Sequence, residues 1–549
     1  MCGIFGGTAE LLCPNAADLL RHRGPNQQGE VGVKTAQGRS LVMGATRLSV
    51  VIKDEVPTPF VRGASVLSYN GEIYNWRDIR RELEALGHRF ETQTDTEVVL
   101  TAYLQWGPQC LQRFNGMFAI AIWNDNTLFL ARDRVGKKPL FYAHTNAGLA
   151  FASELKAIKD LAFEEVPICR SLEFHFDEFT PFKNVKSVKP GEYLLYRPDE
   201  EKVSTHSWWT FPEYTPEITD PKQAVKEFLD VFSDACKVRQ LADVPVTIFL
   251  SGGIDSSLIQ AILRFDVSYT VQFEEFRGHI DEQSLVSEFA SKLGFDARIV
   301  TPRKEDFLST FEALARCIEF PVGSLSVFPL FCLAQAARRD GFVVALSGEG
   351  ADELFNGYFR NELLLREDKQ LQPDLTGPYS TLCWRYFGTS LQRFCRMASR
   401  QGPEDLPLLN AFFSALWSDK RTFAQNLTVA ETKVFLQPLL VMADRLSMGN
   451  SLEVRNPFLD YRVIEFSAKL HDDLKFRDGQ GKWVLRQALK ELLGSDLGIT
   501  QRSLKHGLPA PVNQWLFRSA AFDRKHWNDI LLGECLKQLA MAPQARAAR

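Results

Sequence analysis

The chain has 549 residues, 45% hydrophobic and 24% charged, and its 64 basic and 68 acidic residues give a formal net charge of −4. This is a globular balance with enough apolar content for sizeable cores and no positive excess that would favour nucleic acid. No apolar run approaches the ~18 residues of a membrane span, no basic-then-apolar leader is visible, and the ten cysteines form no CxxC pair, so a reduced, cytoplasmic enzyme is expected.

The chain opens Met1-Cys2-Gly3-Ile4-Phe5-Gly6-Gly7. Removal of Met1 would leave the Cys2 thiol beside its own α-amine, a general base of ordinary pKa about 8 that needs no histidine. Short apolar runs at 40–43, 65–68, 116–123, 127–131 and 192–196 predict strands, and helical spacing predicts helices near 76–86 and 96–106. Together they suggest antiparallel sheets with packed helices. The composition then shifts to Arg197-Pro198-Asp199-Glu200-Glu201, Pro212, Pro216 and Pro221. The expected organisation is a domain over 1–195, a linker over 196–221 and a second domain over 222–549.

In the second part Asp220 can cap a helix with Pro221 in its first position. Buried strands are expected at 244–250 and 342–346, each running into a glycine turn. Strands alternating with helices imply a parallel sheet whose ligands sit at the strands' C-terminal ends. The first turn, Leu250-Ser251-Gly252-Gly253-Ile254-Asp255-Ser256-Ser257, lets backbone amides approach an anion, and it lacks the Gly-Lys-Ser/Thr of a Walker loop. The second, Ser347-Gly348-Glu349-Gly350-Ala351-Asp352-Glu353, crowds three carboxylates that repel one another unless a cation or a reacting group uses them. Asp255 and Asp352 are candidate Mg²⁺ ligands, and Glu349 is a candidate for handling the proton of an attacking amine or supporting adenylation. The pattern beyond about 358 is mostly helical, and 541–549 reads as a frayed tail.

Cys2, Arg21-His22-Arg23-Gly24-Pro25, Thr46-Arg47-Leu48-Ser49, Tyr69-Asn70-Gly71-Glu72, Thr94-Asp95-Thr96-Glu97, Ala131-Arg132-Asp133-Arg134 and Ser153-Glu154-Leu155-Lys156 occur in this order. The set resembles the glutaminase domain of class II, N-terminal-nucleophile amidotransferases. The resemblance implies that Cys2 attacks the glutamine amide, that Asn70 and the Gly71 N–H form the oxyanion hole, that Arg47 pairs with the glutamine carboxylate, and that Glu72 and Asp95 hold its amino end.

The loop at 250–257 resembles the PP-loop of ATP pyrophosphatases. With Asp444-Arg445-Leu446-Ser447-Met448, the run from Ser451 to Asp460, and Lys482-Trp483-Val484-Leu485-Arg486, it resembles the synthetase domain of asparagine synthetase B-type enzymes. The implied fold is two-domain α/β: an αββα glutaminase followed by a parallel-sheet, ATP-pyrophosphatase-like synthetase. Implied ATP contacts are Leu250, Ser251, Gly252, Gly253, Asp255, Ser256, Ser257, Val271, Ser347 and Gly348, with Lys482 neutralising phosphate or adenylate charge. Arg502, Lys505, Gly507 and Trp515 match a looser terminal pattern. The implied cycle hydrolyses glutamine at Cys2, activates a carboxylate with Mg²⁺ and ATP as an acyl-AMP, and amidates it with ammonia carried between the sites. Aspartate is the expected acceptor, with a different carboxylate of specialised metabolism as the alternative. Glutamine and the acceptor are the expected partners, with neither nucleic acid nor membrane; oligomeric state is left open, a homodimer included. The chain departs from the resembled pattern at Asn26, Ser324, Leu325, Asn356 and Gly449-Asn450.

Overall fold

The computed structural model describes residues 2–51, 56–277, 282–368, 389–399, 403–494, 498–501, 510–517 and 524–541. Among the described residues twelve strands lie in the first part: β1 (Cys2–Thr8), β2 (Gln27–Lys34), β3 (Ser40–Arg47), β4 (Phe60–Arg62), β5 (Ser65–Ile73), β6 (Gly116–Asn124), β7 (Thr127–Arg132), β8 (Phe141–Thr145), β9 (Gly148–Ala152), β10 (Val185–Ser187), β11 (Glu192–Arg197) and β12 (Lys202–Ser207). They form two six-stranded sheets, ordered β10-β8-β9-β1-β3-β2 and β12-β11-β7-β6-β5-β4, with antiparallel pairing throughout.

The sheets stack because their strands alternate at period two. On β6, Ala119, Ala121 and Trp123 join Ile4, Met43 and Ala45 of the facing sheet in one core. Phe118, Ile120 and Ile122 of the same strand point the other way, onto helices Trp76–Ala85 and Asp95–Trp106 through Ile79, Leu83, Val98 and Val99. The outer face of the first sheet is covered by Leu11, Ala16, Leu20, Leu155 and Ile158. This is the expected αββα sandwich. Within the segment expected as linker, β12 pairs with β11 from Glu192↔Ser207 to Arg197↔Lys202. The run at 197–201 is therefore a hairpin turn of the second sheet: Pro198 pre-sets one turn dihedral, and Glu201 takes a left-handed φ of 52°.

The second part is built on β13 (Val246–Phe249), β14 (Val267–Val271), β15 (Asp296–Val300), β16 (Val344–Leu346) and β17 (Glu453–Arg455), all parallel in the order β15-β14-β13-β16-β17. The chain moves outward from β13 on one side and returns on the other. The C-terminal ends of β13 and β16 thus flank a topological switch point, where open α/β sheets bind ligands. Helix Pro221–Val238 begins as expected, with Asp220 accepting the Gln223 N–H at 2.7 Å. Among the described residues beyond 358 the regular structure is helical apart from β17, whose two charged residues gave no apolar run to read.

The two parts share one core. Leu48, Val50, Tyr74, Met117 and Val135 pack in the same cluster as Leu250, Ile254, Leu346 and Phe458. Buried polar contacts cross the same boundary: Arg23 to Asp444 at 2.8 Å, Lys138 to Asp444 at 3.1 Å, and Asn115 to Asp460 at 3.1 Å. Among the described residues no helix is long and apolar enough to cross a membrane, and every cysteine is a free thiol.

Candidate active sites

Strand register assembles the first site. Cys2 heads β1 and pairs with Arg47 on β3, which pairs in turn with Gln27 on β2. Cys2 is half-buried, its carbonyl accepts from Arg23 Nε at 3.2 Å, and Arg47 Nη1 donates to Gln27 Oε1 at 3.0 Å. From the facing sheet, β5 delivers Asn70. Its Oδ1 accepts the Cys2 N–H at 3.1 Å, while its fully buried Nδ2 has no hydrogen-bond partner among the described residues. Such an orphan donor costs free energy unless a ligand meets it. Gly71 follows; a Cβ there would run into the Met117 carbonyl and the Phe118 backbone on β6, so only glycine fits at this point of the strand.

Two acids complete the pocket. Asp95 heads its helix behind the Thr94 cap and accepts from the Tyr69 hydroxyl at 2.8 Å and the Ile73 N–H at 3.2 Å. Burial raises its pKa, and the Tyr69 bond opposes that shift. The Glu72 carboxyl is pushed well above its ordinary range by burial first, then by the nearby charges of Asp95 and Glu453. Cys2, Arg47, Tyr69, Gly71, Glu72 and Asp95 line one cleft. Asn26, where the resembled pattern has an acid, holds the Ser49 N–H at 3.0 Å and donates its own N–H to the Arg47 carbonyl, so the turn beside Arg47 is intact.

The second site lies at the switch point. Gly252 takes a left-handed φ of 62°, and helix Ile254–Leu263 starts just beyond Gly253. Ser256 Oγ accepts the Ser251 N–H at 3.2 Å and Ser257 Oγ donates to the Gly253 carbonyl at 2.8 Å, which fixes the loop. A cavity of about 230 Å³ is lined by Leu250, Ser251, Asp255, Ser256 and Val271 on one side and by Ser347, Gly348, Glu349, Asp352 and Glu353 on the other. Gly252, Gly253 and Ser257 shape the loop from behind this lining. Lys482 is buried, with Nζ 2.7 Å from Asp255 Oδ2 and 2.6 Å from Asp352 Oδ1. Its stem crosses Gly357, where any Cβ would collide with it. Lys482 and Arg486 are thus buried residues rather than the wet face of a helix.

Asp255 and Asp352 converge on one point, which Lys482 Nζ occupies. Two hard carboxylates completed by phosphate oxygens are the usual donor set for Mg²⁺, so the residues fit that ion. No group of three or more His, Cys, Asp or Glu that could hold a metal unaided occurs among the described residues. Glu349 accepts from Asn456 Nδ2 at 2.6 Å. Glu353, to which the sequence reading gave no role, meets the Tyr358 hydroxyl; burial, then Asp352, raise its pKa to about 7. Asn456 and Tyr358 were also missed, because a polar side chain's target is invisible until the fold sets it.

At the departures, Ser324 Oγ accepts the Ser326 N–H at 3.1 Å and Ser326 lines the cavity, whereas Leu325 packs into the apolar cluster around Phe328. Asn356 adopts the left-handed φ of 54° that glycine takes freely. Gly449 leaves the space filled by Cys317 Sγ. The rest of the cavity wall is apolar, including Leu330, Leu333, Phe359, Leu439 and Met442, and no Arg, Lys or His of the described residues is part of the lining. Trp515 donates to Glu275 at 2.6 Å and packs with Phe273, Phe307 and Phe328; Arg502, Lys505 and Gly507 lie outside the described residues.

Family comparison follows the same division. The glutamine amidotransferase domain family matches residues 1–209 and the asparagine synthase family residues 227–545. Asparagine synthetase [glutamine-hydrolyzing] 1 of Bacillus subtilis (strain 168) is 29% identical, over 94% of this chain and 88% of its own. A putative asparagine synthetase of Mycobacterium tuberculosis (strain ATCC 25618 / H37Rv) is 31% identical, over 94% and 86%. Amidase chyE of Penicillium rubens is 28% identical, over 88% and 82%. With a thiol-headed amidotransferase sandwich and a parallel-sheet synthetase half matched in order over nearly the whole chain, this protein belongs to the asparagine synthase family of glutamine-dependent carbon–nitrogen ligases.

Proposed function

We propose that the chain transfers the amide nitrogen of glutamine to a carboxylate activated by ATP. The observation that carries this reading is the Asn70 side chain: one end is fixed on the Cys2 N–H and the other is a buried donor with no partner among the described residues. With Met1 removed, the Cys2 amine takes the thiol proton and the sulfur attacks the glutamine amide carbon. The oxyanion forms against Asn70 Nδ2 and the Gly71 N–H, where preorganised donors contribute most. Ammonia leaves as the tetrahedral species collapses to a thioester, which water then hydrolyses to glutamate. Arg47 binds the glutamine carboxylate, and Glu72 with Asp95 its ammonium.

In the second site the acceptor's carboxylate oxygen attacks the α-phosphorus of ATP and pyrophosphate departs. Ammonia then attacks the acyl carbon, AMP leaves, and Glu349 takes the surplus proton. Leu250 and Val271 suit the base, the 251–257 and 347–348 loops the phosphates. Bound at Asp255 and Asp352, Mg²⁺ would neutralise charge on the leaving pyrophosphate. Lys482, which bridges the two carboxylates in this structure, would turn its charge to the phosphates beside that ion.

Aspartate is the acceptor that the named relatives suggest. A different carboxylate is the second reading, favoured by one observation: Leu325 turns into the core, and the described cavity lining offers no cation for a second carboxylate. A buried carboxylate without a partner is expensive. Production of asparagine and AMP with aspartate as sole acceptor supports the first reading. AMP and amide formed only from another carboxylic acid of a panel establish the second. Pyrophosphate release from no acid tested, in a chain that hydrolyses glutamine, would sink the ligase assignment.

A further inference from the structure

The two sites meet in a single dipeptide. Arg455 ends β17, next to β16, and its carbonyl accepts the N–H of Ser347, a residue of the nucleotide cavity, at 3.0 Å. The next residue, Asn456, holds Glu349 at 2.6 Å. The Arg455 side chain leaves the strand in the other direction. Its Nη1 donates to the carbonyls of Arg239 and Leu241 at 2.7 and 2.8 Å, and its Nε to Glu453 at 2.5 Å. Its Nη2 is buried, has no hydrogen-bond partner among the described residues, and stands 4.0 Å from Glu72 Oε1 in the glutamine cleft.

We propose that Arg455 is a positioning residue that ties the orientation of Glu72 in the glutamine site to the state of the nucleotide loop. This rests on the glutaminase reading above. A guanidinium 4.0 Å from a carboxylate is within one small shift of a charge-assisted hydrogen bond, and its free Nη2 is the donor for it. The Arg455 carbonyl is bonded to the Ser347 N–H and the side chain of the next residue, Asn456, to Glu349, so filling the nucleotide cavity acts on the backbone that carries Arg455. No long pathway is needed: one residue touches both sites. Linkage then requires the effect to run both ways, with glutamine altering nucleotide affinity by the same factor.

The test uses the full chain with Cys2→Ala, which keeps glutamine intact, and measures Mg·ATP binding by calorimetry with and without saturating glutamine. We expect the affinity to change by about fivefold or more, the usual size of such coupling, and the change to vanish when Arg455→Lys is added. In the otherwise wild-type chain, Arg455→Lys should raise the KM for glutamine about thirtyfold or more, as for one lost buried charge-assisted contact, with little change in kcat. Equal nucleotide affinity with and without glutamine, or coupling that survives Arg455→Lys in a folded chain, overturns the proposal while leaving the glutaminase reading intact. A wild-type chain that releases no glutamate overturns both.

Should Arg455→Lys fail to fold, Glu453→Gln replaces it, because that carboxylate orients the guanidinium and repels Glu72. Groups facing Glu72 are Asp95 and Tyr69 from the glutaminase sheet and its helix, Glu453 and Arg455 from β17, and Cys2 across the cleft. Losing Glu453's charge lets Glu72 ionise at lower pH, so the acid limb of glutamine kcat/KM should move to lower pH. An acid limb that stays in place overturns the link.

Discussion

Replacement of Asn70 by alanine separates a catalytic donor from a structural one. Among the described residues the Asn70 side chain makes one hydrogen bond, accepting the Cys2 N–H at 3.1 Å, and its buried Nδ2 meets no partner. Losing the bond to the half-buried Cys2 N–H costs about 1 kcal/mol of stability, while removing the orphan amine returns about 1–3 kcal/mol of desolvation. The sum is near zero or stabilising, so the thermal midpoint of Asn70→Ala should match or exceed wild type. Catalysis should respond differently. Loss of one oxyanion donor costs about 10²–10³ in kcat, or about 3–4 kcal/mol of barrier. Glutamate release measured at saturating glutamine, beside a thermal melt of each protein, gives both quantities. Asn70→Asp should be worse still, because a carboxylate there would join Glu72 and Asp95 where negative charge must develop. An Asn70→Ala chain within threefold of wild-type kcat, or one that is destabilised by several kcal/mol, would refute the assignment.

Lys482→Met removes the buried ammonium that bridges Asp255 and Asp352 and should lower stability by about 3–5 kcal/mol and abolish pyrophosphate release, with glutamate release retained; chemical denaturation and the two product assays read these out. Glu353 binds its proton more tightly folded, at about 7, than unfolded, at about 4.3, so folding stability from this group falls as pH rises through that window. Glu353→Gln should therefore gain about 3 kcal/mol relative to wild type between pH 4.5 and 7.5, and a flat difference across urea melts in that range would contradict the shift. Gly449→Ala drives a methyl into Cys317 Sγ and should cost about 1–3 kcal/mol, with Cys317→Ala restoring stability in the double variant; additive losses would show that the clash is not the cause.

The sequence showed most clearly what repeats locally. The strands that became β5, β6, β7 and β11 and the two helices after β5 were visible because burial on a sheet or helix imposes a period on apolar residues. β17 was not visible: three residues, two of them charged, are a strand only because Val343 and Ser347 supply backbone partners. The hairpin of β11 and β12 hid for the opposite reason, since a proline and three acids make the same local signal in a tight turn as in a linker. The motifs located Cys2, Asn70, Asp255 and Asp352, but their pairings depend on sequence separation that no motif spans. Lys482 reaches Asp255 across 227 positions, and Asn456 reaches Glu349 across 107. Charge makes these long-range pairings decisive. A lysine buried between two aspartates and an arginine buried beside Glu72 are each costly alone, and each is tolerable only where the fold brings opposite charge within a few ångström. The residues hardest to place from sequence are therefore those on which both sites depend, because their local pattern argues for solvent and only the assembled structure argues for the interior.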